Sequence, residues 1–252
     1  MSDDERFHAS LLVLNRLIRG GGFPGETARL SGWLLADSGT GIAALNLAFV
    51  ELPAEAARAL QRVEDWFAGR SKGFRLILRD PTDDAVLAAA TARGYAVARS
   101  QPVMVARLPL AAFSLPGGVR VTTAKTPQDI RDYLSVRGIQ ANRPPEETEG
   151  EFIAAVIATG RFAYFVAYDR DRAVATASSA FADGIVHVSN VWVAEDARRR
   201  GLGATMTALA AAAFPGAEWA SLEASAMGEP VYRRMGFEER YRYVQLTPPA
   251  AS

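Results

Sequence analysis

Three arginines, two glycines and a threonine stand together in Arg198-Arg199-Arg200-Gly201-Leu202-Gly203-Ala204-Thr205, between an apolar stretch over 185 to 193 and an alanine-rich stretch over 206 to 214. Glycine lets a ligand approach the backbone closely. The first N–H groups of a helix have no intrahelical partner, and the helix dipole favours negative charge at that end. The combination suits a pyrophosphate. Two common phosphate loops do not fit: a P-loop needs Lys-Ser or Lys-Thr after its second glycine, where Ala204-Thr205 stands, and a dinucleotide fingerprint needs a third glycine where Met206 stands. An ordinary basic helix start on the surface is the alternative reading.

A second segment, Trp219-Ala-Ser-Leu-Glu-Ala-Ser-Ala-Met-Gly-Glu-Pro-Val-Tyr-Arg-Arg-Met-Gly-Phe237, reads as a short buried strand, a helix opening near Gly228 to Pro230, and a stop at Gly236 leading into another strand. The Arg-x-x-Gly-x-Gly loop followed by this segment resembles the acetyl-CoA site of the GNAT N-acetyltransferases, over about residues 118 to 247. The resemblance implies a mixed, mostly antiparallel sheet flanked by helices (the α/β acyl-CoA N-acyltransferase fold) and direct transfer of an acetyl group from acetyl-CoA to a primary amine. It also implies roles for residues. Val191, Trp192 and Val193 would present backbone to the pantetheine arm, and the N–H groups of Arg199, Arg200, Gly201, Leu202, Gly203 and Ala204 would hold the pyrophosphate. Arg198 stands at the motif position, with Arg200 as a helper. Ser225 and Tyr232 match the positions that flank the thioester. A tyrosine hydroxyl there can protonate the departing thiolate. Packing of a half-buried amphipathic residue is the alternative for Tyr232.

The attacking amine must arrive neutral, so a base is wanted. His187 on the preceding strand, Glu223 at the end of the next, and a water held by Ser189 or Asn190 are the candidates. Where some family members carry a glutamate base, Ala220 stands. The acceptor would be read by the first helices of the domain and by the loop over 140 to 147, and its identity is open. A non-catalytic acyl-CoA sensor of the same fold is the competing function.

Composition narrows the classes. The 252 residues contain no cysteine and two histidines, which excludes disulfides, thiolate metal sites and a cysteine acyl-enzyme, and leaves too little for a dedicated zinc centre. The 28 basic and 28 acidic residues cancel, so no overall field draws the chain to nucleic acid or acidic membranes. No apolar run reaches membrane-spanning length, and the polar N-terminus lacks the order of a signal peptide. Cytoplasmic residence is expected, with no metal, nucleic-acid or membrane partner; the oligomeric state is not readable.

The chain is long for one such domain. Two prolines and paired glycines over 108 to 118 read as a linker and set the expected division at 1–114 and 115–252. After it, Val119 to Thr122 reads as a strand, Thr126-Pro127 as a helix start, 146 to 158 as a second helix, and 161 to 168, 173 to 181 and 185 to 193 as strands joined by Asp169-Arg170-Asp171-Arg172 and Asp183-Gly184. The first half echoes the second: a strand over 74 to 78, a helix over 83 to 93, Gly94-Tyr95, and a strand over 96 to 108. Residues 46 to 56, where the phosphate loop would lie, are acidic and free of glycine. The expectation is a degenerate domain of the same kind, without a cofactor loop. Trp33, Phe49 and Trp66 are read as core aromatics.

Overall fold

The computed structural model describes residues 2–20, 25–39, 42–111, 113–141 and 147–249. In chain order the elements are α1 (Asp3–Gly20), β1 (Glu26–Leu30), β2 (Trp33–Asp37), β3 (Leu47–Val50), α2 (Pro53–Arg58), α3 (Leu60–Ala68), β4 (Arg75–Asp80), α4 (Asp84–Ala92) and β5 (Ala96–Arg107). There follow β6 (Val119–Thr123), α5 (Pro127–Ala141), α6 (Glu147–Ala158), β7 (Phe162–Asp169), β8 (Arg172–Ala182), β9 (Ile185–Val193), α7 (Leu202–Ala211), β10 (Trp219–Glu223), α8 (Glu229–Arg234) and β11 (Glu238–Thr247). The chain divides into two compact units, Met1–Val103 with Glu239–Ser252, and Met104–Glu238.

In the second unit the strands lie in the order β10-β9-β8-β7-β6, antiparallel except for the β9–β10 pair. Local sequence explains the joints. Asp183 and Gly184 both take positive φ (52° and 76°), the backbone that a tight hairpin between twisted strands requires. Thr126 and Asp129 cap α5 reciprocally: the Asp129 N–H donates to Thr126 Oγ1 at 3.2 Å, and the Thr126 N–H to Asp129 Oδ2 at 2.9 Å. The alanines of α7 let it lie close to the sheet. Leu202, Met206, Ala210 and Ala211 pack on Ala175, Ala177, Val186 and Val188.

In the first unit the order is β1-β2-β3-β4-β11. Trp33 and Phe49 are buried in its core, Trp33 donating from Nε1 to the Ala56 carbonyl at 3.0 Å, while Trp66 is half-buried, edge-on to Phe67. The last strand departs from the sequence expectation. Residues 239–249, expected within the second domain, lie in the first unit, where β11 pairs antiparallel with β4 from Arg242↔Asp80 to Leu246↔Leu76. Residues 104 to 107 of β5 lie instead in the second unit, and the Leu108 N–H there donates to the Glu218 carbonyl at 3.0 Å. β11 thus belongs to the sheet of the first unit, and the end of β5 to the second. The two strands follow the same helix-Gly-aromatic signal, and period-2 patterning carries no information about which sheet receives which strand.

Candidate functional site

The parallel pairing of β9 with β10 covers three rungs, Ile185↔Trp219, Val186↔Ala220 and His187↔Ser221. Beyond His187 the register continues only on the other side of β9, against β8, up to Val193↔Ala175. The two strands therefore part, and the C-terminal half of β9 presents an edge to the opening. The Ala194 N–H donates to the Val174 carbonyl of β8 at 2.8 Å. Because strand backbone groups alternate sides, the N–H groups of Val193 and Val191 face the opening. An edge of this kind can pair with an amide-bearing chain as with a further strand.

The register between β8 and β9 shifts between Thr176 and Ser178, and Asn190 there has φ +51°. This bulge reverses the side-chain parity of β9. Val186 and Val188 belong to the core beneath α7, and after the bulge Val191 and Val193 pack against that core, which sends Trp192 to the opposite face. Sequence alternation alone places these residues the other way round.

Just past the strand, a single 3-10 turn (Glu195–Ala197) leads into the loop. Arg199 and Gly201 have φ of +63° and +82°, with Arg198 extended before them (φ −66°, ψ 166°). Such alternation of left- and right-handed residues turns successive N–H groups towards one concavity. Gly201 is the residue before α7, and the Thr205 N–H is the first to bond back, onto the Gly201 carbonyl at 3.1 Å. The N–H groups of Leu202, Gly203 and Ala204 precede that bond. A Cβ at Gly201 or Gly203 would meet no atom within 4 Å, so the fold does not require glycine at 203 for internal packing. The open space and the aimed donors fit an anionic ligand that lies against the backbone.

The three arginines separate by role. Arg198 folds back and donates from Nε to the Val193 carbonyl at 3.2 Å, which fastens the loop to the strand end and occupies that carbonyl. Arg200 pairs with Asp169 at the end of β7 (2.6 Å), and this guanidinium holds the Asp169 carboxyl below its usual range. Arg199 is exposed.

Tyr232 on α8 is half-buried. Its ring lies over Gly228, where an added Cβ would come within 2.7 Å of the ring, and stands edge-on to Phe237 at 6.0 Å between centroids. Burial raises its pKa above the usual 10, partly offset by a hydrogen bond with Thr207 of α7, so the phenol is fully protonated at neutral pH. Thr207 in turn donates to the Gly203 carbonyl at 2.8 Å. Ser225 is exposed and accepts the Gly228 N–H on Oγ at 3.1 Å, so it caps the turn into α8.

Of the candidate bases, His187 stands at the last paired rung and shares a 2.6 Å hydrogen bond with Ser221 Oγ. Burial lowers its pKa to about 4 and keeps it neutral. Glu223, Ser189 and Asn190 are exposed, and Ala220 is buried. Residues 142 to 146 of the loop expected to read the acceptor lie outside the described residues. Sequence reasoning missed Thr207, Ser221 and the bulge, and read Gly228 as a helix opening without its contact with the Tyr232 ring.

In the first unit the corresponding strand-to-helix passage, β3 to α2, is built differently. The N–H groups of Glu51 and Leu52 both donate to the Gly32 carbonyl (2.7 and 3.0 Å), and Pro53 opens α2. Its donors are spent internally.

Comparison with known proteins places this architecture among the acyl-CoA N-acyltransferase folds. A GCN5-related N-acetyltransferase from Kribbella flavida superposes with a TM-score of 0.78 at 21% identity over 100% of this chain and 97% of that one. A tandem GNAT protein from the clavulanic acid biosynthesis pathway gives 0.66 at 15% identity, over 99% and 97%. A GCN5-related N-acetyltransferase from Sphaerobacter thermophilus gives 0.62 at 19% over 86% and 80%. No curated protein matches the sequence. The acetyltransferase (GNAT) domain family matches residues 160–239. That segment matches the GNAT acetyltransferase domain family, and the chain as a whole shares the fold of the tandem GNAT protein it superposes on.

Proposed function

We propose that the second unit moves an acetyl group from acetyl-CoA directly to a primary amine of a small molecule or peptide. The observation that carries this is the opening between β9 and β10, continuous at the end of β9 with a loop whose backbone donors converge and whose Gly203 faces open space. The pantetheine amides pair with the Val191 and Val193 edge beside Trp192. The pyrophosphate is held by N–H groups from Arg199, Arg200, Gly201, Leu202, Gly203 and Ala204, a loop that Arg198 and Arg200 hold in shape. Ser225 supports Tyr232 by capping the turn on which its ring rests. As the amine nitrogen bonds the thioester carbon and the carbon–sulfur bond breaks, Tyr232 gives its proton to the leaving sulfur, and the proton of the amine passes to water or to His187. A pKa of about 4 makes His187 a weak base for an alkylammonium, which favours ordered water at Ser189 and Asn190.

Among the described residues no cluster could hold a metal ion, and the proposed transfer uses none. No helix among them is long and apolar enough to cross a membrane, and we place the enzyme in the cytoplasm without nucleic-acid or membrane partners. The first unit is read as a degenerate GNAT-like domain, because the donors of its β3–α2 turn are consumed by Gly32. A sensor without chemistry has one observation in its favour, the hydrogen bond that engages Tyr232 with Thr207. Acetyl-CoA titration followed by thiol release over a panel of amines tests the proposal. Binding with no acetylation of any amine leaves the sensor; no binding refutes both.

A further inference from the structure

On the face of the second unit away from α7, α5 packs over β7, β8 and β9, and the contact contains a knot of polar groups. Ser178 sits at its centre: its Oγ lies 2.9 Å from Ser189 Oγ and accepts from Asn190 Nδ2 at 3.0 Å. Tyr133 of α5 points at this knot, its ring fixed edge-on against Tyr164 at 5.0 Å. One turn later on the same helix face, Arg137 pairs with Glu149 of α6. Trp192, sent to this face by the bulge, stands one rung along the β8–β9 ladder, opposite Thr176.

Arg137 Nε and Trp192 Nε1 are buried without a hydrogen-bond partner among the described residues, and Tyr133 Oη, within reach of Ser178 and Asn190, has no bond of good geometry to either. Tyr133 is 1% exposed. Buried polar atoms in native proteins are overwhelmingly paired, so such donors gathered on one face of the sheet call for an explanation. Their chemistry agrees. Arg137 Nε and Trp192 Nε1 can only donate, and the Tyr133 hydroxyl can donate, so the missing partner offers oxygen acceptors. The knot also reaches solvent and the opening: Ser189 and Asn190 are exposed, and Asn190 and Trp192 flank Val191, whose backbone faces the space between β9 and β10.

We propose that Tyr133, Arg137 and Trp192 form a donor set that recognises an oxygen acceptor on the amine substrate. The enzyme then selects amines with a carbonyl or carboxylate oxygen a few bonds from the nitrogen, as in an amino acid or its amide, over plain alkylamines. This rests on the reading that the second unit acetylates amines. A site built to hydrogen-bond a substrate group discriminates strongly against the analogue that lacks it, because its own donors are then left unpaired. The Arg137–Glu149 pair leaves the donor set without net charge, which favours the carbonyl of an amide over a free carboxylate.

The test uses matched triplets of amino acid, amino-acid amide and decarboxylated amine with the full chain and acetyl-CoA, read as kcat/KM by thiol release. The expected result is a preference of about tenfold or more for the amide over the decarboxylated amine. Tyr133→Phe and Trp192→Phe should bring that ratio towards one. Tyr133→Phe deletes a buried hydroxyl that has no bond of good geometry in the free protein, so its melting temperature should change little, and a purely structural role would leave the ratio where it was. Equal use of amides and plain amines by the wild type, or an unchanged ratio in both variants, overturns the proposal. A preference for the free acid over the amide keeps the donor set and assigns carboxylate as its partner. If nothing in the panel is acetylated, the transfer reading fails by itself, and calorimetric titration of the same triplets into the CoA-saturated chain decides this one. Amide binding that Tyr133→Phe abolishes supports it; no selectivity between amide and plain amine overturns it.

Discussion

Replacing Gly203 with glutamate separates a phosphate loop from a basic helix start, because both readings predict a more stable free protein and only the first predicts a loss of acetyl-CoA binding. Gly203 lies in the first turn of α7 and a Cβ there meets nothing within 4 Å, so the side chain enters without a clash. For the free protein the change is favourable. Leaving glycine in a helix gains about 0.5–1 kcal/mol, and a carboxylate near the positive end of the dipole adds about 0.3–1 kcal/mol. Together they raise the melting temperature by roughly 2–6 °C. For the proposed complex the same carboxylate stands against phosphate oxygens. At about 5 Å and an effective dielectric of about 20, two unit charges repel by about 3 kcal/mol, which weakens acetyl-CoA binding by roughly a hundredfold or more. Gly203→Gln keeps the bulk without the charge and should lose less. Calorimetric titration gives the affinities and a thermal melt the stabilities. A folded Gly203→Glu protein that melts higher and still binds acetyl-CoA as the wild type does would refute the loop assignment.

The same titration on the unaltered chain should give one acetyl-CoA per chain; a stoichiometry of two would show that the β3–α2 turn of the first unit is not degenerate. Tyr232→Phe should lower turnover by about a hundredfold while leaving acetyl-CoA affinity nearly intact, and wild-type turnover in that variant would reduce Tyr232 to packing. Gly228→Ala, whose methyl comes 2.7 Å from the Tyr232 ring, should also cut turnover by displacing the ring, at a cost in stability of about 1–3 kcal/mol; a variant equal to wild type in both rate and melting would contradict the packing described. His187 and His8 are held neutral, at about 4 and about 3, chiefly by burial, so the unfolded chain binds more protons between those values and 6.5. Stability is therefore full above pH 6.5 and falls as pH drops towards 4, by up to about 3 kcal/mol for His187. Urea melts from pH 7 to 4 should show the decline, and His187→Gln should flatten it; identical slopes in the two proteins would show that His187 does not titrate this way.

Local chemistry made a large part of this protein readable without coordinates. The cap at Thr126, the turn at Asp183-Gly184, the glycines at 201 and 203 and the stop at Gly236 each act through a few neighbouring backbone dihedrals, so residue type and spacing suffice to place them. The glycine loop and the element order of the second unit follow from such signals. The destination of β5 and β11 does not, since both strands carry the same pattern and only the packed sheets decide which edge each one joins. Nor does the face that Trp192 occupies. A single extra residue at Asn190 reverses the alternation of β9, and a bulge is a property of the pairing with β8 that no period in the sequence announces. The donors of Tyr133, Arg137 and Trp192 likewise come from two elements far apart in the chain, α5 and β9, and they share a face only once α5 is laid on the sheet.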